Sequence, residues 1–346
     1  MLLALTAYVL LAGADFGGGV WDLLASGPRR EAQRELVTHA IGPIWEANHV
    51  WLVLVVVLLF ACFPPVFAAL GITLHIPLAL MLIGIVMRGS AFTFRTYGSE
   101  VNATQRRWGR TFAIASTLTP MLLGISIGAV ASGGAGEAFT RLRAGTGDGF
   151  ATVFLAPWLT PFTIGVGVLA LALFAFLAAV YLTVEAEPDP ALQEDFRRRA
   201  LATALAVFVV AFGVLALSPR GAPRVTAGLM GSPWALPFHV ATGLAALAAI
   251  WALWTRRFRA ARVAAAAQVT LILWGWAVAQ FPYLLPPTFT IREAAAPPRT
   301  LHLTLWGLAV GAVVLLPSLR YLFRIFKGRP DAFEPMRHGA PGERGD

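Results

Sequence analysis

The stretch THAIGPIWEANHVWL, Thr38 to Leu52, decides how this chain is read. It opens an apolar run that continues through Val57 to Phe60, yet it carries His39, Glu46, Asn48 and His49. A carboxylate near the middle of a bilayer costs roughly 2.5 to 3.5 kcal/mol on insertion scales, so one retained in a span faces a protein interior or a water chain. If the run crosses a membrane, its polar side chains mark a functional site.

Composition says that it crosses. Hydrophobic residues make up 58% of the 346 and charged residues 13%, with a mean hydropathy of +0.70. A soluble domain is about 45 to 50% apolar and about 25% charged. The chain therefore reads as an all-α polytopic membrane protein. Apolar runs long enough to span lie at 37–63, 66–87, 111–132, 162–184, 200–218, 234–254, 263–285 and 301–323. The N-terminal run from Met1 to Leu24, interrupted by Asp15 and by glycines, makes a ninth; the alternatives are eight spans, or a signal peptide with its cleavage site near Ala12-Gly13-Ala14. The expected division is a transmembrane domain over 1–327, with one four-helix bundle at 1–132, a second at 162–285 and a last helix at 301–325. A flexible cytoplasmic tail is expected over 328–346.

The formal net charge of +9 comes almost wholly from arginine. A basic balance can mean nucleic acid, but these residues sit in short loops between apolar runs, which excludes that class. With nine spans, one set of loops and the C-terminal tail carry 21 Lys and Arg and the opposite set carries 6. The positive-inside rule then places the N-terminus outside and the C-terminus in the cytoplasm. A single cysteine, Cys62, leaves no intrachain disulfide and no Cys-based metal site.

Within the opening stretch, Pro43 removes the hydrogen bond that the His39 carbonyl would accept, so a bend and a wet notch are expected one turn before Glu46. Glu46 and His49 are three apart and Trp45 and His49 four apart, which makes them neighbours on a helix surface, with Asn48 between. A carboxyl and an imidazole one turn apart can pass protons through a bridging water; the alternative is a polar contact to a neighbouring helix. His75, on the next span, is expected at the depth of His49, where two facing imidazoles could hold a heme. A lone histidine on an apolar helix is more often structural, and His239 and His302 receive no role.

Asp15 lies in GADFGGG, whose glycines let another helix approach closely, so the acid is expected to be buried against protein. It is either an interhelical hydrogen-bond acceptor or a member of the Glu46 polar path. Arg88 and Arg95, seven apart, share a face at the cytoplasmic end of their span, as headgroup anchors or as partners of an acid. Trp276, Gln280 and Tyr283 share a helical spacing near Pro282. An outer aromatic belt accounts for them, and a lipid or quinone slot is the alternative.

Taken together, YVLLAGADFGGG at 8–19, GPIWEANHVWL at 42–52, FPP at 63–65, RGSAF and FR at 88–95, and WGWAVAQFPYLLPP at 274–287 resemble subunit II of the cytochrome bd quinol oxidases. AAAPP and the closing PSLRYLFRIFKG follow in the same order. The resemblance implies a nine-helix subunit that binds no heme or metal and contributes no catalytic residue of its own. Its partner would be a subunit I with two b-type hemes and one d-type heme, with room for a small accessory subunit and a structural quinone. The complex oxidises quinol and reduces oxygen to water in the bacterial inner membrane, taking protons from the cytoplasm. The resemblance puts Glu46 on a proton path with Asp15 as a second station, and Trp51 near an oxygen route. Trp45 joins Trp51 as an oxygen-route or subunit-contact residue. Where the family pattern carries further acids, this chain has Ala12 and Thr93. A stand-alone proton-coupled transporter and, more distantly, a His-ligated membrane cytochrome are the readings from other classes.

Overall fold

The computed structural model describes residues 1–42, 45–97 and 103–327; the tail expected at 328–346 lies outside them. Among the described residues, nine helices are long and apolar enough to cross a membrane. They are α1 (Leu2–Leu23), α3 (Trp45–Cys62), α5 (His75–Tyr97), α6 (Ala103–Ser132), α9 (Pro161–Glu185), α10 (Pro190–Gly221), α12 (Ala235–Trp254), α13 (Phe258–Gln280) and α15 (Pro298–Lys327). The N-terminal run is thus a full helix despite its glycines. Shorter helices are α2 (Arg30–Ile41), α4 (Pro64–Thr73), α7 (Gly134–Ala144), α8 (Phe150–Phe154), α11 (Pro223–Gly231) and α14 (Ile291–Ala294). Strands β1 (Tyr283–Leu285) and β2 (Phe289–Thr290) form one antiparallel hairpin.

Proline sets many of the boundaries. Pro64, Pro161, Pro190 and Pro223 each stand in the first turn of a helix, where the missing N–H costs nothing. Thr160 completes the start of α9 by exchanging hydrogen bonds with Thr163.

α9 is the central post, with every residue from Leu173 to Val180 buried. α1 and α6 lie against it. Gly17 makes the first contact close: a Cβ there would overlap the Phe174 carbonyl oxygen. On the other side, a Cβ on Gly124 would come within 2.8 Å of the Gly167 Cα. Without water to drive association, such backbone proximity supplies the van der Waals contact that holds helices together.

Three stretches fold differently from the apolar pattern: the run at 37–63 is shared between the end of α2 and α3. The run at 66–87 divides into α4 and the transmembrane α5, because α4 ends at Thr73 and α5 starts at His75. The run at 263–285 stops being helical at Gln280, and Tyr283 belongs to β1. The hairpin docks on α7, where Thr288 Oγ1 donates to the Gly136 carbonyl at 2.8 Å. At the opposite, basic end, Arg29 of the α1–α2 loop grips Asp195 of α10 at 2.6 Å and Arg197 Nε donates to the Leu253 carbonyl of α12 at 2.8 Å. These contacts tie the α1–α2 loop, α10 and α12 together beyond the apolar slab.

Candidate functional site

α2 ends at Ile41 with Gly42 as its C-cap, and α3 begins at Trp45. Pro43 lies outside the described residues. On either side of it, Ile41 lies against Gly18 of α1 and Asn48 reaches Asp15. Asn48 Nδ2 donates to Asp15 Oδ2 at 2.6 Å, and the two residues are 1% and 4% exposed. A hydrogen bond to a carboxylate is shorter and stronger than a neutral one. Asp15 is therefore a true interhelical acceptor.

Beside this pair stands Arg88 of α5, 1% exposed, with its Nε donating to Ser116 Oγ of α6 at 3.2 Å. Its guanidinium lies 4.9 Å from the Phe16 ring centre and 5.3 Å from that of Phe112, and its charge is felt at Asp15 and Tyr8. The expectation of a headgroup anchor fails for Arg88: two aromatic faces and a buried acid replace water around it, which is how a buried cation becomes affordable. The side chain of Arg95 lies outside the described residues.

His49 sits between this interior cluster and the surface of α3. Its Nδ1 is 2.8 Å from the Trp45 carbonyl, and the rings of Tyr8, Phe16 and Trp45 surround it at 5.6 to 6.0 Å. Its Nε2 is buried with no hydrogen-bond partner in the protein. His75 is at the far end of α5, while His49 is level with Arg88 through the contacts of Trp45 with Gly89 and Phe92. Thirteen residues of helix separate the two depths, roughly 20 Å, so the imidazoles do not face one another. Among the described residues, no group of three or more His, Cys, Asp or Glu could hold a metal ion.

Glu46 is where the structure departs most from a single polar cluster. Two residues from Asn48, it points roughly 200° around the helix and is exposed on the outer face of α3. Trp45 and Trp51 are half-buried beside it, Trp45 against Gly89 and Phe92. The chain thus carries one acid inside the helix assembly and one on its rim, with His49 between.

Two cavities accompany these groups. One, of about 270 Å³, is bounded by Asp15, Asn48, Ile41, Tyr181, Glu185 and Arg262. Ala40 and Ile41 of α2 also line it, and the notch expected at Pro43 lies outside the described residues. The other, of about 310 Å³, is apolar and lies among α6, α9, α10, α12 and α13. Trp276 lines it with a buried indole N–H that has no protein acceptor. Gln280 and Tyr283 do not share that face: the helix ends at Gln280, whose Nε2 donates to the Leu284 carbonyl at 3.1 Å. Arg262, Glu185 and the apolar cavity carried no signal in the sequence.

Nine spans packed around α9, with a buried Asp–Asn–Arg cluster among them, define a polytopic helical membrane protein. The chain belongs to the family described as cytochrome bd terminal oxidase subunit II, whose profile matches residues 1–326. It is thus a subunit of a cytochrome bd oxidase and part of an oxidoreductase complex of the inner membrane. Cytochrome bd ubiquinol oxidase subunit 2 of Bacillus subtilis is 24% identical over 342 residues, covering 96% of this chain and 95% of that protein. Cytochrome bd-I ubiquinol oxidase subunit 2 of Escherichia coli K12 is 27% identical over 51% of this chain and 45% of its own length. In fold, the chain matches the bd oxidase structure from Geobacillus thermodenitrificans with a TM-score of 0.74 and 24% identity, covering 94% of this chain and 96% of that one.

Proposed function

We propose that this chain is the heme-free subunit of a quinol-oxidising, oxygen-reducing complex, and that it carries protons toward a heme-bearing subunit I. The observation that supports this reading best is Glu46, a carboxylate exposed on a membrane span. Lipid does not solvate a carboxylate, so a protein surface with water or a polar group should cover it. Half-buried Trp45 and Trp51 stand on the two flanks of α3 between Glu46 and the interior, and α15 lies along α3 with the rest of its surface uncovered. Subunit I is the natural cover for this face, and the b- and d-type hemes belong on it. When bound there, those hemes supply the electron transfer and oxygen chemistry.

The residues of this chain would then do two things. Glu46 exchanges protons at the subunit contact, and the Asp15–Asn48 pair behind it, with His49 between, holds further protonatable groups in line. On the charge-based orientation, the end with Arg29 and Asp195 faces the cytoplasm, where uptake begins. The apolar cavity at Trp276 suits a lipid chain or the tail of a structural quinone, with the indole N–H as its polar contact. Family membership displaces the stand-alone transporter reading.

The test is Glu46→Gln in the intact oxidase, reconstituted in vesicles. Oxygen consumption and charge separation should both fall while the heme spectrum stays normal. Wild-type values for both would remove Glu46 from the path.

A further inference from the structure

Glu46 is a rim group, but the interior acid Asp15 has its own route to the basic end of the molecule. The cavity of about 270 Å³ runs along α1, α9 and the start of α13. At its inner end are Asp15 and Asn48, and the Asn48 Oδ1 is buried without a hydrogen-bond partner in the protein. At its other end are Glu185, in the last turn of α9, and Arg262, in the second turn of α13. Between them stands Tyr181, with the Arg262 guanidinium 4.6 Å from its ring centre.

Three features make this a water passage and not a lipid crevice. Asn48 borders the cavity and its amide oxygen is buried without a protein partner, which makes that end of the cavity polar. The volume holds several waters, each needing only about 10 to 15 Å³ of such space. A carboxylate and a guanidinium at the mouth would repel acyl chains and attract water. Gly17 of α1 lies against Phe174 and Ala178 of α9, and Glu185 ends α9 seven residues beyond Ala178, roughly 10 Å along the helix. The passage therefore runs from Asp15 toward the basic end, wholly within this subunit.

We propose that Glu185 is the mouth of an intrasubunit water channel that delivers protons to Asp15 without passing through Glu46. Glu185 takes one proton from bulk water and gives it to a cavity water. A proton from the far end of that water file then passes to the Asp15 carboxylate. No bond other than O–H forms or breaks, and each group returns to its starting state when Asp15 hands its proton on. The delivery role rests on the reading of Asp15 as a proton station; the existence of the channel does not.

The test separates the two. In the assembled oxidase with Cys62→Ala, Ala14→Cys on the cavity wall should react with a charged, membrane-impermeant thiosulfonate added from the basic side, read as a mass shift of this subunit. Val57→Cys, on the exposed face of α3, should not react. Absence of labelling at Ala14→Cys overturns the channel whatever protons do. For delivery, Glu185→Gln should lower oxygen turnover about tenfold or more, as losing a positioned proton-transfer group does, with Glu185→Asp restoring it. Normal turnover in Glu185→Gln overturns delivery. Normal turnover in Glu46→Gln with slow Glu185→Gln would overturn only the rim pathway.

Discussion

Asn48 and Asp15 join α3 to α1 through a 2.6 Å hydrogen bond in the interior of the helix assembly. The bond fixes the rotation of α3, and that rotation sends Glu46 outward. Replacing Asn48 by Leu removes the donor and leaves a buried carboxylate short of one partner. The expected cost is about 1.5 to 3 kcal/mol, the worth of a hydrogen bond to a charged group. Thermal melting of the purified oxidase, followed through heme absorbance, should show it; Asn48→Leu melting with the wild type would mean the bond does not hold α3.

Arg88 answers the charge of Asp15, so the two should not be independent. Arg88→Met should destabilise by about 3 to 5 kcal/mol, because one partner of a buried pair is left behind. Adding Asp15→Asn to Arg88→Met should recover part of that loss. Strict additivity in the double-mutant cycle would show that the two charges do not interact.

Gly17 and Gly71 give opposite expectations for the same substitution. Gly17→Ala would place a methyl onto the Phe174 carbonyl and should cost about 1 to 3 kcal/mol, as overpacking does. Nothing lies within 4 Å of a Cβ at Gly71, so Gly71→Ala should assemble normally. The yield of heme-bearing complex after mild detergent extraction separates the two.

Glu293 accepts from the Thr290 backbone N–H and hydroxyl, and these bonds hold its carboxyl below the usual glutamate range. A depressed carboxylate contributes stability above its unfolded value and loses it as pH falls through the folded one. The turn at Thr290 should therefore stay closed at neutral pH and loosen below about pH 4. Hydrogen exchange at the Thr290 amide, corrected for intrinsic rate, should show faster opening there; a flat profile would mean the cap is not formed.

Much of this arrangement was legible in the chain. The number and place of the spans follow from runs of apolar residues, and GADFGGG announced a close helix contact that Gly17 makes with α9. The acid in that motif was expected to be buried, and it is. What could not be read was which way each polar residue turns. Lipid and helix interior are equally apolar, so the periodicity that orients a soluble helix is absent from α3. Asn48 inward and Glu46 outward therefore looked like one cluster. Arg88 misled for a related reason: two arginines seven apart suit a membrane surface, and only the rings of Phe16 and Phe112, from distant helices, make an interior place for one. The helices in the loop after Ser132 and the hairpin at Tyr283 depend on each other's company, through Gly136 and Thr288, and neither stretch reveals that alone.

α15 has its main seam with α3 and otherwise stands clear of its own chain. A helix so little held by its own chain can slide, tilt and rotate at little cost, so its final pose is decided by whatever joins it afterwards. Subunit joining in the membrane would thus meet a surface that is still adjustable, and the closing step of assembly would be the settling of one rod between two finished halves.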